Sequence, residues 1–186
     1  NEIHVDLSGG LVSALSLEQI RALLRWVHEQ QGHVTRIDCA LDDRAGTVPM
    51  ATIRQAVADG HCVTRAAQVR QIVSNLTRGT GATTGQTMYF GSPQSQTLLR
   101  IYDKRLELQS KERDNWQDYG VRWELEFKKD RAELCARALA NLDEADWKEC
   151  VVGLLRTYVN FRQIPKDAEE EERYRAPMLE WYALLT

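Results

Sequence analysis

The 186-residue chain lacks the features that mark several other classes of protein. No apolar run approaches the ~18 residues that a membrane-spanning helix needs, and no signal peptide opens the chain, so we expect neither. The four cysteines form no Cys-x-x-Cys pair, which favours reduced, buried thiols over disulfides or a zinc site. No Gly-Lys-Ser/Thr sequence follows the glycines at 79, 81 and 85, so the sequence has no phosphate loop of an ATP-driven motor.

The composition is that of an ordinary globular protein. Hydrophobic residues make up 43% of the chain and charged residues 27%, and the length suits one domain with a helical appendage. We expect a single domain over 1–186, with a core at about 16–140 and a helical C-terminal part at about 141–186. The chain starts at Asn1 rather than Met, which suggests a piece of a longer polypeptide.

The net charge is −3, but it is unevenly distributed along the chain. Residues 1–60 carry 5 basic and 8 acidic side chains, residues 61–131 carry 12 and 8, and residues 132–186 carry 7 and 11. The basic middle third can hold a phosphate backbone in spite of the acidic total. Charge alone therefore leaves the partner open.

Hydrophobic periodicity predicts helices that flank a group of strands. A capping box at Ser16 and Gln19 begins a helix that Gly32 ends, and Pro49 suits the first position of another. The predicted helices span 16–31, 49–59, 131–140 and 143–160, and the predicted strands span 33–42, 87–91, 97–108 and 120–128. Residues 61–76 fit strand or helix equally, 78–85 indicate a flexible loop or a hairpin turn, and 109–118 indicate an exposed connection. This order predicts an α+β fold, an antiparallel sheet with helices packed on one face and an open polar face that carries the active site.

The alternation of side chains groups polar residues on the open side of three predicted strands. These residues are Arg36, Asp38 and Asp42 in 33–42, Arg100, Tyr102 and Lys104 in 97–108, and Arg122, Glu124, Glu126 and Lys128 in 120–128. For any one strand, a solvated face with salt bridges explains the pattern. Three strands with the same pattern favour a functional site.

The carboxylates of this face suit a hard metal ion. Glu124 and Glu126 lie about 7 Å apart by the rise of a strand, and a bound cation would relieve their repulsion, with Asp38 nearby if the strands are neighbours. Oxygen-only ligands favour Mg²⁺ or Mn²⁺ over zinc.

A tyrosine beside such a metal has a clear chemical use. Its phenolate can attack a phosphodiester, which leaves the 5′ side of the nick bound to the protein and frees a 3′-hydroxyl. The ordinary phenol pKa of ~10 is too high for this reaction at neutral pH, and we expect the metal or the cations Lys104 and Arg100 to lower it.

One long block carries a family resemblance. The sequence Tyr89-Phe-Gly-Ser-Pro-Gln-Ser-Gln-Thr-Leu-Leu-Arg-Ile-Tyr-Asp-Lys104 resembles the signature of the replication initiation factor family, which includes initiators of rolling-circle plasmids, filamentous phages and some conjugative elements. Arg36-Ile-Asp38, with Asp42 after it, and Val121-Arg-Trp-Glu-Leu-Glu126 also match, so the resemblance covers about residues 33–140.

The resemblance implies a metal-dependent, sequence-specific nickase that forms a 5′-phosphotyrosyl link at an origin and then rejoins the ends. It assigns the nucleophile to Tyr102, the metal ligands to Asp38, Glu124 and Glu126, and assistance at the phosphate to Lys104. Asp42 stays open as a further ligand because it shares a face with Asp38. The chain has no His-hydrophobe-His motif, and the family's pattern leads us to expect carboxylate ligation instead.

Some alternatives stay open at this stage. Tyr89 and Tyr119 are rival nucleophiles. A DNA-binding replication regulator with the same fold but no catalysis, and a nuclease that uses water in place of tyrosine, are rival functions. A covalent protein–DNA adduct distinguishes the nickase from both.

The predicted partner is origin DNA, single-stranded or as an extruded hairpin. Arg36, Arg100 and Arg122 on the open face, and Arg78 in the glycine-rich loop, are the predicted DNA contacts. The resemblance also implies a bacterial cytoplasm as the location, a host helicase and polymerase as partners, since the chain has no motor of its own, and a homodimer as a possible state.

Overall fold

The computed structural model describes residues 3–73 and 85–185. The strands are β1 (Arg36–Asp42), β2 (Cys62–Thr64), β3 (Val69–Val73), β4 (Gln86–Phe90), β5 (Thr97–Asp103), β6 (Val121–Lys128) and β7 (Val159–Phe161). The helices are α1 (Gly9–Val12), α2 (Leu17–Glu29), α3 (Met50–Ala58), α4 (Lys104–Ser110), α5 (Lys129–Asn141), α6 (Glu144–Tyr158), α7 (Glu170–Arg175) and α8 (Glu180–Leu185). A single 3-10 turn covers Trp116–Asp118.

Five strands form one antiparallel sheet in the order β1-β6-β5-β4-β3. Helices α5 and α6 contact β1 from one side of this sheet, and β2 and β7 form a separate two-stranded sheet. The prediction of an α+β fold with an antiparallel sheet and helices is therefore confirmed.

Local signals place the first long helix as predicted. The Gln19 amide donates to Ser16 Oγ at 3.2 Å, and the Ser16 amide donates to Gln19 Oε1 at 2.8 Å, which completes the capping box of α2. The sequence predicts Pro49 as the first residue of the second helix, but it is the N-cap residue, and α3 begins one residue later at Met50. The buried Asp43 fixes the preceding turn by accepting hydrogen bonds from the amides of Thr47 and Val48.

The predicted strand over 97–108 is wrong beyond Asp103. The Asp103 carboxylate accepts a hydrogen bond from the Leu106 amide at 2.9 Å, so Asp103 caps helix α4 and ends β5. Lys104 is therefore the first residue of a helix. The alternation that grouped Lys104 with Arg100 and Tyr102 does not apply to it.

Two other segments contain strands that periodicity did not resolve. Residues 61–76 include β2 and β3 rather than one element, and the predicted helix over 143–160 ends at Tyr158, where β7 begins. Strand β7 pairs with β2 from Cys62↔Phe161 to Thr64↔Val159. A three-residue strand is too short to show a period of its own, and this pairing partner lies almost 100 positions away in the sequence.

The core lies between the helices and the apolar side of the sheet. Trp123 of β6 is 1% exposed, and its ring lies 5.9 Å from that of Phe161 and 5.8 Å from that of Tyr182. Trp147 is also buried, and Trp181 packs on the core. Of the four cysteines, all free, Cys39 and Cys135 are buried. In the part of the chain that the structure describes, no helix is long and apolar enough to cross a membrane.

Candidate active site

The strand register sets the open face in rows across the sheet. Asp38 of β1 is paired with Glu126 of β6, and Glu124 of β6 is paired with Arg100 of β5. In the next row, Arg122 lies between Asp42 and Tyr102. Paired residues of an antiparallel sheet have their Cβ atoms about 5 Å apart, so this register alone brings the predicted site residues together.

Three carboxylates converge on one guanidinium. Arg100 Nη2 lies 3.3 Å from Asp38 Oδ2 and 3.8 Å from Glu126 Oε2, and it makes its closest contact with Glu124 Oε1. The side chains of Glu126 and Glu124 are 6% and 13% exposed, so two of the acids are held largely out of water. Charges this poorly hydrated need a partner of opposite charge. Arg100 is such a partner for both glutamates, and it also contacts the more exposed Asp38.

Two further cations hold the outer side of the acid cluster Asp38, Glu124 and Glu126. Arg36 Nη2 lies 2.8 Å from Asp38 Oδ2 and 2.7 Å from Glu126 Oε2, and Lys128 Nζ lies 2.7 Å from Glu126 Oε1. Three positive side chains thus face three negative ones.

The Tyr102 hydroxyl points into this cluster. It donates a hydrogen bond to Glu124 Oε2 at 3.0 Å, while the other oxygen of Glu124 contacts Arg100. Among the hydrogen bonds between described residues, Tyr102 is the one tyrosine whose hydroxyl donates to a carboxylate. The arrangement gives the phenol an acceptor for its proton.

The electrostatics of Tyr102 differ from the expectation. Burial, and then the negative charge of Glu124, raise the pKa of the phenol above its ordinary value, although Arg122 acts in the opposite direction. The expected effect of Lys104 is absent because its Nζ pairs with Glu107 Oε2 at 2.7 Å and lies 5.8 Å from the centre of the Tyr102 ring. Without a bound cation, therefore, the phenol keeps its proton at neutral pH.

Asp42, on the same face as Asp38, has a different partner. Both of its carboxylate oxygens accept hydrogen bonds from Arg122, at 2.6 and 2.8 Å. This two-point pair, whose side chains are 17% and 20% exposed, lies in the row beside Tyr102. Asp42 therefore pairs with Arg122, whereas the acids of the cluster contact Arg100.

The four predicted DNA contacts divide into two groups. Arg36, Arg100 and Arg122 all lie on the open face and all pair with carboxylates there. Arg78, like positions 78–84 of the loop predicted over 78–85, lies outside the residues that the structure describes.

A cleft of about 420 Å³ opens beside the acid cluster. Its lining includes Gln86, Thr87, Tyr89, Arg100, Tyr102 and Glu107. Tyr89, a rival nucleophile, lies in this lining under the guanidinium of Arg70, at 5.8 Å from ring centre to Arg70 Cζ. The other rival, Tyr119, lies between Arg44 and Arg122, at 5.2 and 5.8 Å from their Cζ atoms.

Sequence reasoning missed Glu107. This acid lines the cleft and binds both Lys104 and Lys111, whose hydrogen bonds lower its pKa in spite of the opposing effect of burial. The signal was present, because Lys104 and Glu107 are three positions apart and face each other on a helix. It was invisible while the segment was interpreted as a strand.

The carboxylate oxygens of the acid cluster are suitable ligands for a hard divalent cation, but in this structure the three carboxylates are too far apart to bind one together. Three carboxylates converge on the Nη2 atom of Arg100. Carboxylate oxygens are the donors that Mg²⁺ and Mn²⁺ prefer. Within residues 3–73 and 85–185, however, no group of three or more His, Cys, Asp and Glu side chains stands close enough together to hold a metal ion. The Arg100 guanidinium lies between the acids.

The fold and the open face together define a class of protein. The solved structure of a rolling circle replication initiator protein from Geobacillus stearothermophilus matches this chain with a TM-score of 0.69 and 27% identity, over 91% of this chain and 60% of that one. The candidate DNA relaxase NicK of Bacillus subtilis (strain 168) is 29% identical over 135 residues, which are 72% of this chain and 38% of that protein. The fold is that of a rolling-circle initiator.

The family follows from a match over most of the chain. Residues 32–186 match the model of the family described as replication initiation factor. The chain belongs to the replication initiation factor family, as its motifs indicate. It spans 60% of the length of the solved initiator and 38% of that of NicK.

Proposed function

We propose that this chain is the nicking domain of a rolling-circle replication initiator, with one catalytic unit over 1–186. It cleaves and rejoins one strand of origin DNA through a 5′-phosphotyrosyl link on Tyr102, with Mg²⁺ or Mn²⁺ held by Asp38, Glu124 and Glu126. The observation that carries the proposal is the 3.0 Å hydrogen bond from the Tyr102 hydroxyl to Glu124, beside two other acids on an open sheet face. The family and the two relatives support DNA nicking as the class of reaction.

The chemistry needs a proton acceptor, an attacking oxygen and a leaving group. The Tyr102 oxygen attacks the phosphorus of the scissile phosphodiester as its proton passes to Glu124 Oε2. The bond from phosphorus to the 3′ oxygen then breaks. That oxygen leaves as a free 3′-hydroxyl by taking a proton from water, and Glu124 returns the Tyr102 proton to water. Rejoining is the reverse, with the 3′-hydroxyl attacking the phosphotyrosyl phosphorus.

The bound cation would supply charge stabilisation for the phosphate oxygens and a lower pKa for the phenol. Glu124 suits both tasks asked of it, because one of its oxygens receives the Tyr102 hydrogen bond and the other lies in the acid cluster. Its side chain is 13% exposed, so little water competes for either oxygen.

The remaining roles follow from what each cation touches. Lys104 reaches a phosphate only by exchanging Glu107, its partner at 2.7 Å, for the DNA. Arg100 lines the cleft, and Arg122 is paired with Tyr102 of its lining. Arg36 lies across the acid cluster on the same open face, so we propose that all three contact the strand that enters. We place Arg78 with them as a DNA contact on the grounds of charge alone.

The proposed partners are origin DNA, single-stranded or as an extruded hairpin, and the host helicase and polymerase that extend the nick. A homodimer and a location in the bacterial cytoplasm belong to the same proposal. The 186 residues contain no Walker-type phosphate loop, so the proposal assigns DNA unwinding to a separate helicase.

The test is a denaturant-resistant adduct. The protein is mixed with labelled single-stranded origin DNA and Mn²⁺, and the products are separated under denaturing conditions. We expect an adduct that a chelator prevents and that Tyr102→Phe abolishes, while DNA binding by Tyr102→Phe persists. The rival tyrosines provide matched controls, since Tyr89→Phe and Tyr119→Phe should still form the adduct.

Each contrary result has a meaning of its own. Cleavage without an adduct indicates a nuclease that uses water, and binding without either indicates a regulator that does not cleave DNA. An adduct that survives Tyr102→Phe moves the nucleophile to another residue.

A further inference from the structure

Arg100 occupies the position that a cation would need. Its Nη2 atom lies within 4 Å of one oxygen from each of Asp38, Glu124 and Glu126. Arg36 and Lys128 reach the same cluster only from the Asp38 and Glu126 side. Among the described residues, Arg100 is the one of these three cations that contacts Glu124, so it is the one that holds the cluster together.

The charges of the cluster balance with Arg100 in place and not without it. Asp38, Glu124 and Glu126 face Arg36, Arg100 and Lys128, three negative charges against three positive ones. A divalent cation that joined the cluster would meet the guanidinium at contact distance and be repelled by it. Both positive groups cannot occupy the point where the three oxygens converge, so the cation can bind only when Arg100 leaves.

The neighbouring cleft has room for the Arg100 side chain when it leaves the acid cluster. Arg100 belongs to the lining of this cleft of about 420 Å³, together with Tyr102. Its Nε is buried and has no hydrogen-bond partner among the described residues, so part of the guanidinium is still unsatisfied. A phosphodiester in the cleft would offer oxygens to which a guanidinium bonds strongly, and in two-point geometry.

We propose that Arg100 links the two ligands of the site: a divalent cation at the acid cluster displaces it toward the cleft, and a DNA phosphate in the cleft draws it away from the acids. This inference rests on the proposed cation site and adds to it a dependence of each ligand on the other. By thermodynamic linkage, DNA then raises the affinity for the cation by the same factor by which the cation raises the affinity for DNA. Without DNA, Arg100 competes with the metal for the acids and lowers their affinity for it.

The experiment measures Mn²⁺ affinity, by calorimetry or by the loss of free-ion paramagnetic resonance signal, with and without a short single-stranded oligonucleotide at saturation. Every protein carries Tyr102→Phe so that no strand is cleaved. We expect Arg100→Gln to bind Mn²⁺ about tenfold more tightly than its parent without DNA, within the usual range of such couplings. With DNA present the two proteins should differ by less than about twofold, since DNA already holds Arg100 away in the parent.

Lys128→Gln is the matched control, because it removes one positive charge from the outer side of the same cluster, beside Glu126, at a residue with no proposed contact to DNA. Any gain it gives in Mn²⁺ affinity acts through space and should be the same with and without DNA. Arg100→Lys supplies a second variant that keeps the charge, and we expect it to fall between Arg100→Gln and the parent. Thermal unfolding of each protein verifies that it is folded.

The linkage is overturned if Arg100→Gln binds Mn²⁺ no more tightly than the parent, or if its gain is equal with and without DNA. Asp38→Asn separates this result from failure of the site itself. If Asp38→Asn binds Mn²⁺ as the parent does, or if no protein binds it, then the proposed ligand set is wrong and the linkage fails with it. If Asp38→Asn weakens Mn²⁺ binding while Arg100→Gln raises the Mn²⁺ affinity equally with and without DNA, only the linkage fails.

Discussion

The two faces of β5 and β6 use the same alternation of side chains for different purposes. On the covered face, Trp123 packs against Phe161 and Tyr182 and is 1% exposed. On the open face, one position away, Glu124 binds Arg100 and Tyr102. The covered face stabilises the fold by removing apolar surface from water. The open face holds charges in the geometry on which the proposed chemistry depends.

This difference means that damage to the two faces should have separable consequences. A core substitution should lower the free energy of unfolding and leave the chemistry of the folded molecules intact. A substitution in the acid cluster should mainly impair the chemistry, and one in the Asp42–Arg122 pair should lower stability without removing a proposed ligand. The following predictions are ordered from the largest expected effect to the smallest.

Glu124→Gln should give the largest loss, and it should be a loss of cleavage. The amide no longer accepts the Tyr102 proton, and proton transfer by a positioned group contributes roughly 10²–10⁴-fold to a rate. Single-turnover cleavage of origin DNA measures the rate, and chemical denaturation measures stability. A fall of less than about fivefold would show that Glu124 is not the proton acceptor.

Phe161→Ala should give the largest loss of stability. Phe161 is fully buried against Trp123, and truncating a buried aromatic residue costs about 3–5 kcal/mol. Urea denaturation measures the change. Cleavage calculated for the fraction of protein still folded should stay within about tenfold of the parent. Loss of cleavage in fully folded protein would contradict the separation of the two faces.

Asp42→Asn tests whether all open-face acids belong to the cation site. Because it leaves the half-buried Arg122 without its charged partner, we expect a destabilisation of about 1–3 kcal/mol. Mn²⁺ affinity should change less than about threefold, whereas Asp38→Asn should lower it strongly. Isothermal titration of both variants compares them directly, and equal losses would make Asp42 a ligand.

Arg175→Gln should have the smallest effect on either property. Its pair with Glu171 spans 3.7 Å, and the two side chains are 81% and 86% exposed. Exposed pairs of this type contribute about 0–1 kcal/mol, so the midpoint of urea denaturation and the cleavage rate should both be unchanged. A clear change in cleavage would assign a role to α7 that its exposure does not suggest.

Periodicity predicted much of the sheet because each long strand carries an apolar side and a polar side. The pattern from Val121 to Lys128 assigns Trp123 to the core and Glu124 to the open face without any knowledge of neighbours. It failed at Lys104, where one hydrogen bond from the Leu106 amide to Asp103 ends the strand. A capping contact of this kind depends on local backbone geometry, to which a count of apolar positions is insensitive.

For Tyr102 too, the sequence predicted the face of the sheet but not the contacts of the side chain. The strand pattern and the family motif both placed this residue on the polar face. Its hydrogen bond to Glu124 and its raised pKa depend on strand order and burial, which residue types alone do not encode. The expected lowering of the Tyr102 pKa by Lys104 is absent because Lys104 pairs with Glu107 instead.

The sequence by itself determined the α+β class, the two faces of each long strand, and the membership of the replication initiation factor family. These properties are local, since they depend on alternation, capping residues and motif order. Only the tertiary structure decided that β1, β6 and β5 are neighbours and that Asp38, Glu124 and Glu126 converge on Arg100. Pairing between distant strands is fixed by the packing of the whole core, and the charges on the open face then arrange themselves around the partners that this packing provides.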